Sequence, residues 1–259
     1  MLKRGQVTLF VVIGIVIVVA VAMALIFKSE ISVRLQNVEL SKNEGARQLY
    51  SEVQAYSEDC LKKTSLEGLQ NVLLNGVGEK RLDGVAYYLY ENEEMFPEKE
   101  LFAQSLASYI QSNINYCLNI NPLNLKLGKS KVNVVLSENV EIQSEQKISV
   151  TKDDLSVTVN KYNTNVDFNL NIVYNYLKDF YDDVKNISEV DFIKRGNEAI
   201  KNKYTFFQDD ISETDAVFIL QIPNAIEGKD AETKFAMKYV VAKPEPLEVG
   251  IGDLIGGLV

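Results

Sequence analysis

The chain of 259 residues contains no histidine. Histidine is the commonest general base near neutral pH, so its absence excludes a Ser-His-Asp triad, a Cys-His pair and the HExxH zinc motif. The two common phosphate-binding patterns, G-x-G-x-x-G at the start of a helix and G-x-x-x-x-G-K-[ST], are also missing. Tryptophan is absent, which excludes a Trp-based sugar platform. We therefore predict no catalytic residues, no metal site and no cofactor.

Positive charge is in short supply, with 27 Lys and Arg against 36 Asp and Glu and a net charge of -9. A surface of this sign repels nucleic acid, and no basic segment with interleaved aromatics offsets it, so nucleic acid is excluded as a partner. Acidic groups occur at residues 153–154, 182–183 and 209–215. Residues 208–215 offer several oxygens for a calcium ion but lack the D-x-D-x-D-G spacing of a calcium loop, so we interpret them as solvated loop acids.

One long segment has no charge at all: it begins at Val7 and ends at Phe27. About 20 apolar residues are enough for a helix to cross the hydrocarbon core of a bilayer. Lys3 and Arg4 precede the segment, and basic residues favour the cytoplasmic side. The prediction is a single-pass protein of the cell membrane, with the lipid bilayer as partner of residues 7–27 and with the domain outside. A signal-peptidase site at Ala22-Met23-Ala24 is the rival interpretation.

Cysteine is scarce, with Cys60 and Cys117 the only two in the chain. Helical periodicity places each on an apolar stripe, one in a helix predicted over residues 44–75 and the other in a helix over residues 97–118. If those faces pack together the sulfurs can meet, and a disulfide would persist outside the cell. We predict a Cys60–Cys117 disulfide, with two separately buried free thiols as the alternative.

From Lys131 onward the hydrophobic period changes from helical to two residues. This alternation predicts an antiparallel β-meander with turns at residues 137–139, 145–146 and 152–154. The other predicted elements are strands at residues 84–90, 166–172, 216–222 and 234–241, and helices around residues 177–184 and 189–203. The predicted fold class is α+β: an N-terminal transmembrane helix, followed by an ectodomain with two disulfide-linked helices and a β-meander.

The composition divides the chain into five predicted segments. They are an anchor at residues 1–28, a linker or helix extension at 29–43, a helical subdomain with a buried strand at 44–122, a mainly β subdomain with inserted helices at 123–246, and an apolar tail at 247–259. The tail reads LEVGIGDLIGGLV, and a strand that docks on a sheet edge or on a neighbouring subunit is one interpretation. A poorly ordered tail is the other. Asn186-Ile187-Ser188 matches the N-glycosylation pattern, which makes Asn186 a candidate acceptor.

The junction Lys3-Arg4-Gly5-Gln6 before the apolar run resembles an archaeal class III signal peptide of the type IV pilin kind. The resemblance implies cleavage by prepilin peptidase between Gly5 and Gln6, and packing of the processed helix into a filament core. Pilins of this type usually carry a glutamate near the fifth position after the cut, where this chain has Phe10. That departure argues against assembly as a major filament subunit.

A second resemblance covers the segments VQAYSEDCL at residues 53–61, EGL at 67–69 and YCL at 116–118. They are similar to uncharacterised N-terminally anchored proteins of small-genome archaea, which implies a surface origin and no particular mechanism. The predicted function is a structural or adhesive surface protein, including a pilin-like filament subunit, with self-association or envelope and pilus proteins as partners. A membrane-tethered ligand- or protein-binding module is the alternative, and an extracytoplasmic hydrolase using carboxylates ranks third.

Overall fold

The structure, a computed structural model, describes residues 43–120, 123–185, 205–212, 214–226 and 229–238. These residues form three helices and ten strands. In chain order they are α1 (Glu44–Asn75), β1 (Arg81–Leu82), β2 (Val85–Tyr90), β3 (Glu93–Glu94), α2 (Lys99–Asn119), β4 (Lys126–Leu127), β5 (Lys131–Leu136), β6 (Val140–Lys152), β7 (Leu155–Val166), α3 (Leu170–Val184), β8 (Thr205–Asp210), β9 (Asp215–Ile226) and β10 (Lys229–Lys238). The α+β class is confirmed.

The predicted membrane span lies outside the described ranges, as do the linker before Asn43 and the tail. Within those ranges, no helix is both long enough and apolar enough to cross a bilayer.

By their contacts, the described residues belong to two compact units, and the smaller one contains residues 43–53 and 151–157. Its helix start is capped by Asn43, whose side-chain oxygen accepts from the backbone N–H of Ala46 at 3.1 Å. A Cβ at Gly45 would lie 3.1 Å from a methyl group of Leu155, so the first helical turn packs closely on the β6–β7 hairpin. Asp153 has the positive φ that this tight turn requires.

Helix α1 ends where its sequence predicts. Gly76 follows the last helical residue with φ at +62°, a conformation that glycine adopts without the steric cost of a side chain. A side chain would also be crowded there, because a Cβ at Gly76 would lie 3.1 Å from the carbonyl oxygen of Lys234. Gly68 has a related role against α2, since its Cβ would lie 2.8 Å from the Tyr109 ring and 2.9 Å from Leu106. The two helices therefore approach each other closely at Gly68.

The larger sheet has six strands in the order β1-β2-β10-β9-β8, with β3 also paired to β2. All of its pairings are antiparallel except β2 with β10, which is parallel. Phe235 of β10 stacks between Tyr88 of β2 and Phe218 of β9, with ring centroids 5.1 and 5.2 Å apart. Phe180 of α3 meets both phenylalanines edge-on, so α3 covers this face of the sheet. Aromatic packing of this kind supplies a large part of the buried apolar area.

The smaller sheet is built around β6. Strand β7 pairs with β6. Strand β5 pairs with residues 140–145 of β6, and the short strand β4 pairs with residues 148–149 of β6. Burial alternates along most of β6, so one face is buried and the other is wet. The turn predicted at residues 137–139 is present, and the turn predicted at 152–154 occupies residues 153–154, so the antiparallel meander is confirmed.

Three predictions about local structure are wrong. No turn occurs at residues 145–146, because β6 continues through them and Glu145 pairs with Lys131. No separate strand occurs at residues 166–172, because β7 ends at Val166 and α3 begins at Leu170. Asn169 caps this helix by accepting a hydrogen bond from the N–H of Ile172 at 3.1 Å. Asp209 and Asp210 belong to β8 and not to a loop, whereas Asp182 lies in α3, where the sequence predicts a helix. The helix predicted at residues 189–203 lies outside the described ranges.

Candidate functional site

The predicted disulfide is present and joins the two long helices. Cys60 of α1 and Cys117 of α2 are bonded to each other, with their Cα atoms 5.6 Å apart. Cys60 is fully buried. Beside the bond, the Tyr56 hydroxyl donates to the carbonyl oxygen of Cys117 at 2.7 Å. The covalent link and the hydrogen bond together fix the end of α2 against the middle of α1. The structure thus confirms the disulfide and excludes the alternative of two free thiols.

The other predicted site residues are not positioned by the structure. Gly5, Gln6 and Asn186 lie outside the described ranges. The processing site and the glycosylation site therefore stay predictions.

Next to the disulfide, the last turns of α2 expose apolar side chains. Tyr116 is 73 % exposed and Ile120 is 79 % exposed. Because they are four residues apart, the two side chains lie on the same face of the helix end. They form a small apolar surface beside the rigid cross-link.

A buried polar network connects α2 with the smaller sheet. The side-chain amide of Gln146 donates to Asn115 Oδ1 at 2.8 Å and to the Gly128 carbonyl oxygen at 2.9 Å. Its carbonyl oxygen accepts from the Tyr162 hydroxyl at 2.7 Å. Burial raises the pKa of Tyr162 to about 12, so the phenol stays protonated and keeps donating at neutral pH. This network is not among the features predicted from the sequence, although the position of Gln146 continues the inward-facing residues of β6 and marks it as a buried polar residue.

A second polar cluster lies on the side of the larger sheet opposite the Phe235 stack. The Tyr87 hydroxyl donates to Asp215 Oδ1 at 2.8 Å, reaching across β10. The other oxygen of this carboxylate accepts from the hydroxyls of Ser212 at 2.7 Å and Thr214 at 3.0 Å. Lys238 is the register partner of Asp215 on the neighbouring strand. The carboxylate therefore organises the β8–β9 turn and connects it with β2.

These contacts shift the acidity of both partners. Partial burial by itself would raise the pKa of Asp215, but the hydrogen bonds from Ser212, Tyr87 and Thr214 and the charge of Lys238 outweigh it and lower the pKa below its ordinary value. Burial, followed by the bond to Asp215, raises the pKa of Tyr87. A phenol that holds its proton so firmly is a poor general base, so the pair favours a structural role.

Replacing Asp215 by Asn should make the protein less sensitive to acid. A lowered pKa in the folded state gives stability that is present above the unfolded-state value near 3.8 and is lost as the pH falls through the folded value. The stability difference between wild type and the variant should therefore shrink below about pH 4. Urea unfolding of the full chain in detergent between pH 2.5 and 7 measures it. Tyr87→Phe is the matched variant, with an expected loss of about 1 kcal/mol at pH 7; a pH-independent difference for Asp215→Asn would contradict the assignment.

A third cluster surrounds the end of α3. Lys185 donates to Glu94 and to Asp182, each at 3.0 Å, and these bonds raise its pKa. Its ammonium also lies 5.3 Å from the centre of the Tyr181 ring. Within the described part of the chain the buried Tyr181 hydroxyl has no hydrogen-bond partner, and burial raises its pKa to about 12. The cluster ties β3 to α3, and its lysine is already occupied by two carboxylates.

Within the described ranges, no group of three or more Cys, Asp and Glu side chains is arranged to hold a metal ion. No protein-family model matches the chain. No curated protein matches it, and no solved structure does either. Function is therefore inferred from the chain's own residues, of which the disulfide-linked helix pair is the most specific feature.

Proposed function

We propose that this chain is a single-pass membrane protein whose α+β domain has a structural or adhesive role on the outer side of the cell membrane. The observation that carries the proposal is the Cys60–Cys117 disulfide. Disulfides form and persist mainly in oxidising compartments outside the cytoplasm. The same topology follows independently from the uncharged segment at residues 7–27 and from Lys3 and Arg4 before it.

The domain is suited to bearing load. Helices α1 and α2 are joined covalently at Cys60 and Cys117 and approach closely at Gly68, so they cannot slide apart without breaking a bond. The polar clusters of the described residues tie α2 to the smaller sheet, the β8–β9 turn to β2, and β3 to the end of α3. This rigidity supports a surface subunit, and a pilin-like filament subunit is its specific form if Gly5–Gln6 is cut.

A membrane-tethered binding module is the second candidate function. The exposed pair Tyr116 and Ile120 supports it, because an aromatic and an aliphatic side chain beside a rigid cross-link offer a small contact surface for a protein partner. The assembly state separates the two candidates: filaments or helix-mediated oligomers support a structural subunit, and a monomer that captures a partner supports a binding module.

Protease added to intact cells should degrade the domain and leave a short anchored fragment. The prediction follows from the uncharged segment and the basic residues before it. Mass spectrometry of the surviving fragment and of the native N-terminus gives two results at once. A terminus at Gln6 supports pilin-type processing, and an uncut Gly5–Gln6 bond together with a degraded domain supports a permanent anchor.

Substitution of Lys3 and Arg4 by glutamine provides the control. Removing both positive charges weakens the orientation signal, so a fraction of the variant should become protected from external protease. Complete protection of the wild-type chain in intact cells, with degradation only after lysis, would overturn the proposed topology.

A further inference from the structure

Strand β8 forms an edge of the larger sheet. Among the described strands it pairs only with β9. Apolar side chains are exposed at this edge. Phe207 of β8 is 43 % exposed, and Ile211, the first residue after β8, is 46 % exposed. An edge strand with unpaired backbone groups and exposed apolar side chains is a template for pairing with another strand.

The end of β10 is close enough to this edge for the C-terminal segment of the same chain to reach it. Strands β8 and β10 both run antiparallel to β9, so Asp210 and Lys238 lie at the same end of the sheet, opposite Ala216 and Asp215. A strand on the open side of β8 would lie three strand spacings from β10, about 14 Å. The eight residues 239–246 span up to about 27 Å when extended. That length is enough to pass the β8–β9 turn and to return along β8 in the antiparallel direction.

The sequence after this linker has the pattern of an edge strand. Leu247, Val249 and Ile251 alternate with Glu248 and two glycines. In an extended segment the three branched residues share one face, and the glycines on the other face allow close backbone approach. Proline favours an extended backbone and cannot donate a hydrogen bond to a sheet, so Pro244 and Pro246 suit a linker better than a strand.

We propose that residues 247–252 pair antiparallel with β8 of the same chain and form an additional edge strand of the larger sheet. With Val249 opposite Phe207, the side chains of Leu247, Val249 and Ile251 lie on the face of the sheet that carries Phe207, and they cover its exposed ring. A linker of eight residues gives the segment a millimolar effective concentration at its own sheet, which far exceeds the concentration of a second copy. The segment thereby blocks the β8 edge, and its release makes that edge available to another chain.

Hydrogen exchange of the full chain in detergent tests the pairing. Truncation after Pro246 should raise amide exchange in β8 about tenfold, while exchange in β10 stays unchanged and reports an intact sheet. Val249→Lys should raise exchange in β8 in the same direction, whereas Glu248→Lys, on the other face, should leave it near the wild-type rate. Unchanged exchange in β8 after truncation would overturn the proposal.

Cross-linking identifies the chain that supplies the strand. Phe207→Cys combined with Val249→Cys should give an oxidised 207–249 peptide pair by mass spectrometry, with the native disulfide retained. Isotope-labelled and unlabelled copies are mixed before oxidation. If both peptides of every pair are labelled or both are unlabelled, the strand comes from the same chain. Pairs of one labelled and one unlabelled peptide would show that a second copy occupies the edge. Absence of the pair, also with Ile251→Cys in place of Val249→Cys, would count against the proposal.

Discussion

Replacing Cys60 and Cys117 together by alanine should lower the free energy of unfolding by about 4 kcal/mol. The disulfide closes a loop of 57 residues, and in the chain-entropy model a cross-link of this length removes much of the freedom of the unfolded chain. Cys60 is fully buried, so its truncation also removes packing inside the helix pair. Denaturant unfolding of the full chain in detergent, followed by far-UV circular dichroism, measures the loss.

Reductant provides the matched control for this experiment. Wild-type protein should lose stability when a thiol reductant is added, and the double alanine variant should not respond, because it has no bond to break. Equal stability of wild type and variant without reductant would contradict the role assigned to the cross-link. Two alkylatable thiols in the native protein would contradict the disulfide itself.

Local periodicity was sufficient to predict the helices around this bond. The apolar stripes that place Cys60 and Cys117 on facing surfaces depend only on residues three and four apart, and glycine at position 76 gives an unambiguous end to α1. The strands β5, β6 and β7 were also predicted in kind, because alternation of apolar and polar residues is a local signal. The disulfide followed once both stripes were recognised.

Local periodicity gave the wrong element where one segment is compatible with both a strand and a helix. Val166, Phe168, Leu170 and Ile172 alternate like a strand, yet Asn169 starts a helix by capping the N–H of Ile172. Whether such a segment becomes strand or helix depends on its packing, and Phe180 of α3 packs on Phe218 and Phe235 from strands far along the chain. The capping asparagine was the available signal, and the alternation obscured it.

Long-range pairings were beyond prediction for a different reason. The parallel contact of β2 with β10 pairs Tyr87 with Ala236. These residues are far apart in the sequence, and no local pattern specifies their register. The Tyr87–Asp215 contact depends on it. Gln146 was interpreted as part of a turn because it is polar, although the parity of its position points inward.

Replacing Gln146 by leucine should lower the free energy of unfolding by about 3 kcal/mol. The substitution removes the acceptor of the Tyr162 hydroxyl and the donors to Asn115 Oδ1 and the Gly128 carbonyl. Tyr162 is 2 % exposed, so water cannot replace the lost partner without opening the interface between α2 and the sheet. Buried polar groups left without partners keep their full desolvation cost. Gln143→Leu is the matched control, since Gln143 lies on the exposed face of β6, where a surface substitution changes stability by about 0.5 kcal/mol or less.

A double-mutant cycle shows whether the network acts as a unit. Tyr162→Phe alone leaves the carbonyl oxygen of Gln146 without this donor, and Gln146→Leu alone leaves the phenol without this acceptor. With both substitutions neither half of the bond remains, so the double variant should be more stable than the sum of the single losses predicts, by about 1 kcal/mol or more. Urea unfolding of the four chains in detergent gives the coupling energy. Strictly additive losses would mean that the hydrogen bond contributes no coupling and that the buried amide is held by its contacts with α2 and Gly128 alone.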